Sequence, residues 1–285
     1  MTSRLRTAAI VAVTLAAVAG APAARADDDA LTCAVDARFN LDPAISRALT
    51  TGTIGGTLSG LCSGRVDGRL LQDAPLSGAY TGTYGDGPMS RPLGGANCFQ
   101  NDGHLSTEVA LAVAPDRFLR YRDSGLYFTR AVRTGAATGT LGGAPLTSSM
   151  LYLPDQDCAN VAITTGSVQM RFAVAGDAVA VNDAPHVGID APATASGIGP
   201  VSLDVRVADP DGRADLREVT GRVTDAGGRL MVSFGRDALA PVDARTLAGT
   251  IRDVKLTGQA PWTVVVSARD AAAHAVVHTA SIARG

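Results

Sequence analysis

The chain has 285 residues, with 25 Lys plus Arg against 27 Asp plus Glu and a formal net charge of −2. That balance lacks the basic surplus a nucleic-acid groove needs, which argues against nucleic acid as a partner. Lys255 is the one lysine, so arginine carries the remaining positive charge, and the Ala and Gly enrichment beside it reads as genomic codon bias and not as a feature of fold.

Residues 1–26 hold Arg4 and Arg6, an apolar run from Thr7 to Gly20, and a small-residue cleavage site, Ala24-Arg25-Ala26, ahead of Asp27-Asp28-Asp29. That order predicts a secretory signal peptide; a membrane anchor needs about 20 continuous apolar residues, and this run is shorter. Its removal leaves 259 residues and, with three arginines gone, a net charge of −5. That length suits two domains, each with its own core. No second apolar segment reaches spanning length, so no transmembrane segment is expected in the mature chain, and secretion or loose envelope association is the expected location.

Cys33, Cys62, Cys98 and Cys158 are even in number in an exported chain, which predicts two disulfides. No paired C-x-x-C spacing supports zinc. Three connectivities are open; Cys33 with Cys62 and Cys98 with Cys158 are favoured because sequential pairs close the shorter loops.

All four cysteines precede residue 160, and the turn-forming stretch 177–185 follows, so residues 27–176 read as an N-terminal β domain, 177–185 as a linker and 186–285 as a second domain. One short helix is predicted over Asp42–Leu49, with Asp42 as cap and Pro43 in the first turn. Beyond it, Val109, Leu111 and Val113 alternate with small residues, and Ser148 to Leu153 and Val161 to Thr165 are β-prone. The texture is that of an antiparallel barrel or sandwich. An echo recurs at Thr51-Gly52-Thr53-Ile54-Gly55, Thr81-Gly82-Thr83-Tyr84-Gly85 and Thr138-Gly139-Thr140-Leu141-Gly142. It marks either equivalent strands whose glycines admit a close ligand or backbone, or chance in a glycine-rich chain.

In the second domain, strands are predicted at His186–Ile189, Val201–Ala208, Val219–Val223, Leu230–Phe234, Thr250–Leu256, Trp262–Ala268 and Ala275–Ile282. Turns fall at Asp209-Pro210-Asp211-Gly212 and Asp225-Ala226-Gly227-Gly228. Val201 to Gly212 and Trp262 to Asp270 resemble the Ig-like and cadherin-like modules appended to many exported bacterial proteins. The resemblance covers residues 185–283 and implies a seven-stranded Ig-like β-sandwich, without implying a function. In that family the second motif continues Ala-Gly-Asn, whereas here Ala271-Ala272-Ala273 follows. The fold class expected for the whole chain is therefore all-β, a disulfide-bonded antiparallel barrel or sandwich followed by that module.

Candidate chemistry is sparse. Asp209, Asp211 and Asp215 have a spacing that converges oxygens on Ca²⁺, but too few ligands follow, and a solvated Pro-Asp-Gly turn that needs no calcium is the expectation. His274 and His278 lie four apart in a β-prone stretch, about 13 Å along a strand and too far for one metal. His104 and Glu108 share a strand face only loosely, so acid/base work there has no support. Gly60-Leu61-Cys62-Ser63-Gly64 places a cysteine expected to be oxidised where a nucleophile would stand. Phe118, Tyr121, Tyr127, Arg120 and Arg122, with Phe128, Arg117 and Arg130 beside them, form a possible ligand-contact cluster of rings and guanidinium rims, weighed against an ordinary half-buried core edge.

These residues point first to a secreted non-catalytic binding or structural protein without a cofactor, whose partner is an extracellular protein, a glycan or a small ligand. A small-ligand carrier with a barrel lumen is the alternative, and a secreted hydrolase ranks third. A closed barrel with an apolar cavity distinguishes the carrier; a cleft joining His104 to an unpaired carboxylate and a serine distinguishes the enzyme.

Overall fold

A computed structural model describes residues 30–66, 68–130, 133–158, 160–176, 178–196 and 199–285, and the predicted signal peptide lies outside them. Eight strands come first: β1 (Ala30–Ile45), β2 (Gly52–Val66), β3 (Arg69–Tyr84), β4 (Gln100–Ala114), β5 (Arg117–Arg130), β6 (Thr134–Leu141), β7 (Ala144–Pro154) and β8 (Ile163–Ala175). Each pairs antiparallel with the next, and β1 closes on β8, giving a closed up-and-down barrel. Closure leaves no sheet edge exposed.

Strand period sets the two faces. Along β1, Leu31, Cys33, Val35 and Phe39 are buried inside while Thr32, Asp36, Arg38 and Asn40 face out. On β1 the inner face is therefore apolar and the outer face polar. Cys33 and Cys62 are opposite one another in the β1–β2 register and form one disulfide inside the barrel; Cys98–Cys158 ties the loop before β4 to the loop before β8.

No helix forms over Asp42–Leu49. Residues 42–45 extend β1, with Asp42 paired to Thr53 and Ile45 to Ile163, and Ile45 buried in the core. The local cap signal at Asp42 and Pro43 loses to the ladder and to burial of Leu41 and Ile45, as tertiary context overrides weak propensity. Likewise β8 begins at Ile163 and leaves Val161 exposed.

Nine strands follow: β9 (His186–Asp190), β10 (Thr194–Ala195), β11 (Pro200–Ala208), β12 (Glu218–Thr224), β13 (Leu230–Gly235), β14 (Ala240–Pro241), β15 (Thr246–Lys255), β16 (Trp262–Arg269) and β17 (Ala275–Arg284). Seven coincide with predicted strands; β10 and β14 are two-residue additions. They form a five-stranded sheet, β10-β17-β16-β12-β13, and a four-stranded sheet, β14-β15-β11-β9. Leu203, Val205 and Val207 of one sheet share a core with Val219, Val264 and Val266 of the other. Trp262 is wholly buried there, its indole N–H donating to the Thr257 carbonyl at 2.8 Å. Burial of a side chain that size contributes about 2–3 kcal/mol, so the indole anchors this core.

The hairpin after Asp270 forms without Ala-Gly-Asn. The Asp270 carboxylate accepts the His274 amide at 2.8 Å, and Ala273 takes the left-handed conformation at φ 69°.

Candidate functional site

The barrel holds a cavity of about 140 Å³. Its walls include Phe39, Leu58, Tyr80, Val109, Met150 and Phe172, and among the described residues lining it none is Asp, Glu, Lys, Arg or His. Burial pushes the phenols of Tyr80, Tyr127 and Tyr152 above their ordinary range, so these rings are neutral. The site therefore offers apolar and aromatic surface with a few uncharged polar groups, chiefly Asn101 and Thr129.

Space is left because Gly125 on β5 and Ala137 and Gly139 on β6 are small inward residues. Gly125 pairs with Gly139, and Ala137 stands opposite Tyr127. The lining includes outward-facing Ser124, Leu126, Thr138 and Thr140 beside that Gly–Gly pair, so the cavity reaches through the wall where two side chains are missing. All three echoed Thr-Gly-Thr segments put their glycine on the inner face, and the first two are antiparallel partners, with Gly52 opposite Tyr84 and Ile54 opposite Gly82. Phe39 and Tyr152 stack at 5.0 Å between ring centres and line one side of the lumen.

The proposed cluster of rings and arginines is not one site. On β5, odd residues point in and even residues out, so Tyr121 and Tyr127 lie in the core while Phe118, Arg120 and Arg122 lie outside. Only Tyr127 of these lines the lumen. Phe118 receives the Arg245 guanidinium at 4.4 Å, and Arg120 and Arg122 bind Glu108 and Asp183. Period-2 reading of this stretch carries the signal that separates them.

Beyond β5 the segment after β8 acts as a strap. The Val181 amide donates to the Arg120 carbonyl at 2.7 Å and the Val179 amide to the Gly142 carbonyl at 2.9 Å, while Ala178 and Ala180 pack on the barrel core. They lie where β5 has no β6 partner, since that ladder begins only at Gly125.

The remaining candidates are dispersed. His104 faces outward and Glu108 is engaged by Arg120 and Arg122. Cys62 is oxidised and buried. His274 bonds to Asp270 at 2.8 Å, and His278 stands away on β17, opposite Val266.

The turn after β11 is more concentrated than its spacing implies. Asp209, Asp211 and Asp215 are all buried, and Asp270, at the end of β16, joins them. One carboxylate oxygen from each of Asp209, Asp215 and Asp270 lies within 4.8 Å of the others. Burial, with Asp215, Asp211 and Asp270 nearby, pushes the Asp209 carboxyl up to about 7. The same turn docks on the β4–β5 hairpin: the Phe118 amide donates to the Asp211 carbonyl at 2.8 Å and the Ala214 amide to the Asp116 carbonyl at 3.2 Å. Gly212 has φ 109°, and a Cβ there would stand 2.1 Å from the Asp116 carbonyl oxygen, so the approach requires glycine.

No family model and no curated protein matches the chain. The functional reading therefore rests on the geometry of these two places.

Proposed function

We propose that the chain is an exported binding protein whose barrel holds a small, uncharged, apolar molecule, or the apolar end of a longer one, in its lumen. The observation that carries this reading is the largely apolar cavity with no Asp, Glu, Lys, Arg or His on its described walls. A cavity of this size suits a guest of about benzene's bulk, because few polar groups line it to hold water in place of an apolar molecule. Export is supported by the predicted signal peptide and by two disulfides, which suit an oxidising compartment. For the second domain, two sheets sharing one core support the Ig-like reading drawn from residues 185–283. The hydrolase reading has less support, since His104 and Glu108 lie on the outer wall and Glu108 is held by two arginines.

The test is the melting temperature of the mature chain in buffer saturated with benzene, read by sealed-cell calorimetry. A guest that binds only the folded state raises it. A rise of a few degrees is expected, abolished in Ala137→Leu, which fills the lumen, and retained in Leu58→Ala, which enlarges it. An unchanged melting temperature in the wild-type chain overturns the reading.

A further inference from the structure

The lumen has a mouth, and the groups around it carry the furthest inference. The loops before β2, β4 and β8 meet at one end of the barrel around a cleft of about 560 Å³, and Cys98–Cys158 ties the last two together. Asn101, Thr129 and Tyr152 line both this cleft and the lumen, so they form the neck between the two. The opposite end carries the β4–β5 hairpin, on which the turn after β11 docks, so the cleft faces away from the second domain.

Most acceptors around the cleft are already taken. Asn97 Oδ1 accepts the Phe99 and Gln100 amides at 2.9 and 3.2 Å, and Gln156 Oε1 accepts the Thr164 and Thr165 amides at 3.0 and 3.3 Å. Asp155 accepts the Thr165 hydroxyl at 2.9 Å, and Asp157 the Asn160 side-chain amide at 3.0 Å. Donors are left over. Arg47, from the loop after β1, and Arg133, before β6, line the cleft, are exposed and make no ion pair among the described residues. At the neck, Asn101 is buried with Oδ1 accepting the Tyr127 hydroxyl at 3.4 Å, while its Nδ2 has no hydrogen-bond partner among the described residues. The Tyr152 hydroxyl has none either, and burial keeps that phenol protonated, so it too can donate. A group that only accepts and carries negative charge complements this set; a carboxylate is such a group.

Resting on the luminal reading above, we propose that the guest is an amphiphile, an alkyl carboxylate of medium length, with its chain in the lumen and its carboxylate in the cleft facing Arg47 and Arg133. The apolar walls take the chain out of water. The neck donors then meet the carboxylate oxygens where the apolar lining ends, and the two guanidiniums balance their charge.

The experiment titrates the mature full chain with hexanoate and octanoate by calorimetry. One molecule per chain is expected, bound about tenfold more tightly than octylammonium, the head group that Asp155 and Asp157 would favour. Arg47→Gln and Arg133→Gln are each expected to weaken octanoate about threefold and to leave octan-1-ol unchanged, while Arg252→Gln on the second domain changes neither. Added salt is expected to weaken octanoate and not octan-1-ol, a readout that needs no variant. Equal affinity for octanoate and octan-1-ol, insensitive to salt and to both arginines, overturns the carboxylate assignment. Tighter binding of octylammonium overturns it as well. A chain that keeps its melting response to benzene yet binds neither acid overturns this proposal alone; loss of the benzene response too overturns the luminal reading beneath it.

Discussion

Tyr80 lies across Gly56: they are paired in the β2–β3 register, and the phenol reaches over the glycine to donate to the Arg38 carbonyl on β1 at 2.8 Å. Tyr84 does the same at Gly52, donating to the Pro43 carbonyl. A side chain on the middle strand would occupy the path of the ring. At Gly56 a Cβ would stand 3.1 Å from the Tyr80 oxygen and closer still to the Arg38 carbonyl. Gly56→Ala is therefore expected to destabilise the barrel by about 2–4 kcal/mol and Tyr80→Phe by about 1 kcal/mol, read by urea unfolding. Equal effects from the two variants would contradict this account.

Ala273 sits in the left-handed region that the β16–β17 turn imposes, where a Cβ is penalised. Ala273→Gly is expected to stabilise the chain by about 0.5–1 kcal/mol, even though glycine widens the unfolded ensemble. Thermal unfolding checks the sign, and a lower melting temperature refutes it.

The two disulfides differ in access. Cys33 and Cys62 are buried inside the barrel, whereas Cys98 and Cys158 are half-buried in loops at one end. Mild reductant without denaturant is expected to open Cys98–Cys158 first, because exchange requires a thiolate to reach sulfur. Alkylation and mass spectrometry identify the pair; labelling of Cys33 and Cys62 first would show the barrel opening before its loops.

Asp209 gives stability a pH dependence with a definite sign. Its carboxyl is raised to about 7 when folded, against about 3.9 unfolded, so between those values the folded state holds a proton the unfolded state has released. Stability from this group is thus fully present below about pH 4 and lost as pH rises through about 7. Asp211, Asp215 and Asp270 face it, with His274 bonded to Asp270. The melting advantage of Asp209→Asn over wild type is expected to grow from pH 5 to pH 8; a constant difference would show that Asp209 does not titrate there.

Much of the strand content was legible because period 2 is local. Val201, Leu203, Val205 and Val207 alternate in the sequence, and the last three are buried in the structure. Asp42 and Pro43 misled for the same reason, since a cap is also a local signal and Leu41 pairs with Ile54 regardless of it. The lumen was less legible: emptiness arises where Gly125 meets Gly139, a register no single segment specifies. Asp270 escaped notice beside Asp215 because nothing in the spacing of a strand end reveals which distant turn it will meet.

The pairing of β1 with β8 has a kinetic consequence. Cys33 aligns with Phe172, so the first strand completes its hydrogen bonding only after the last has been delivered. Until then both terminal strands have one unsatisfied edge, and loop closure on this scale makes assembly slow compared with local hairpins. The barrel therefore stays open until its eighth strand has been delivered to its first.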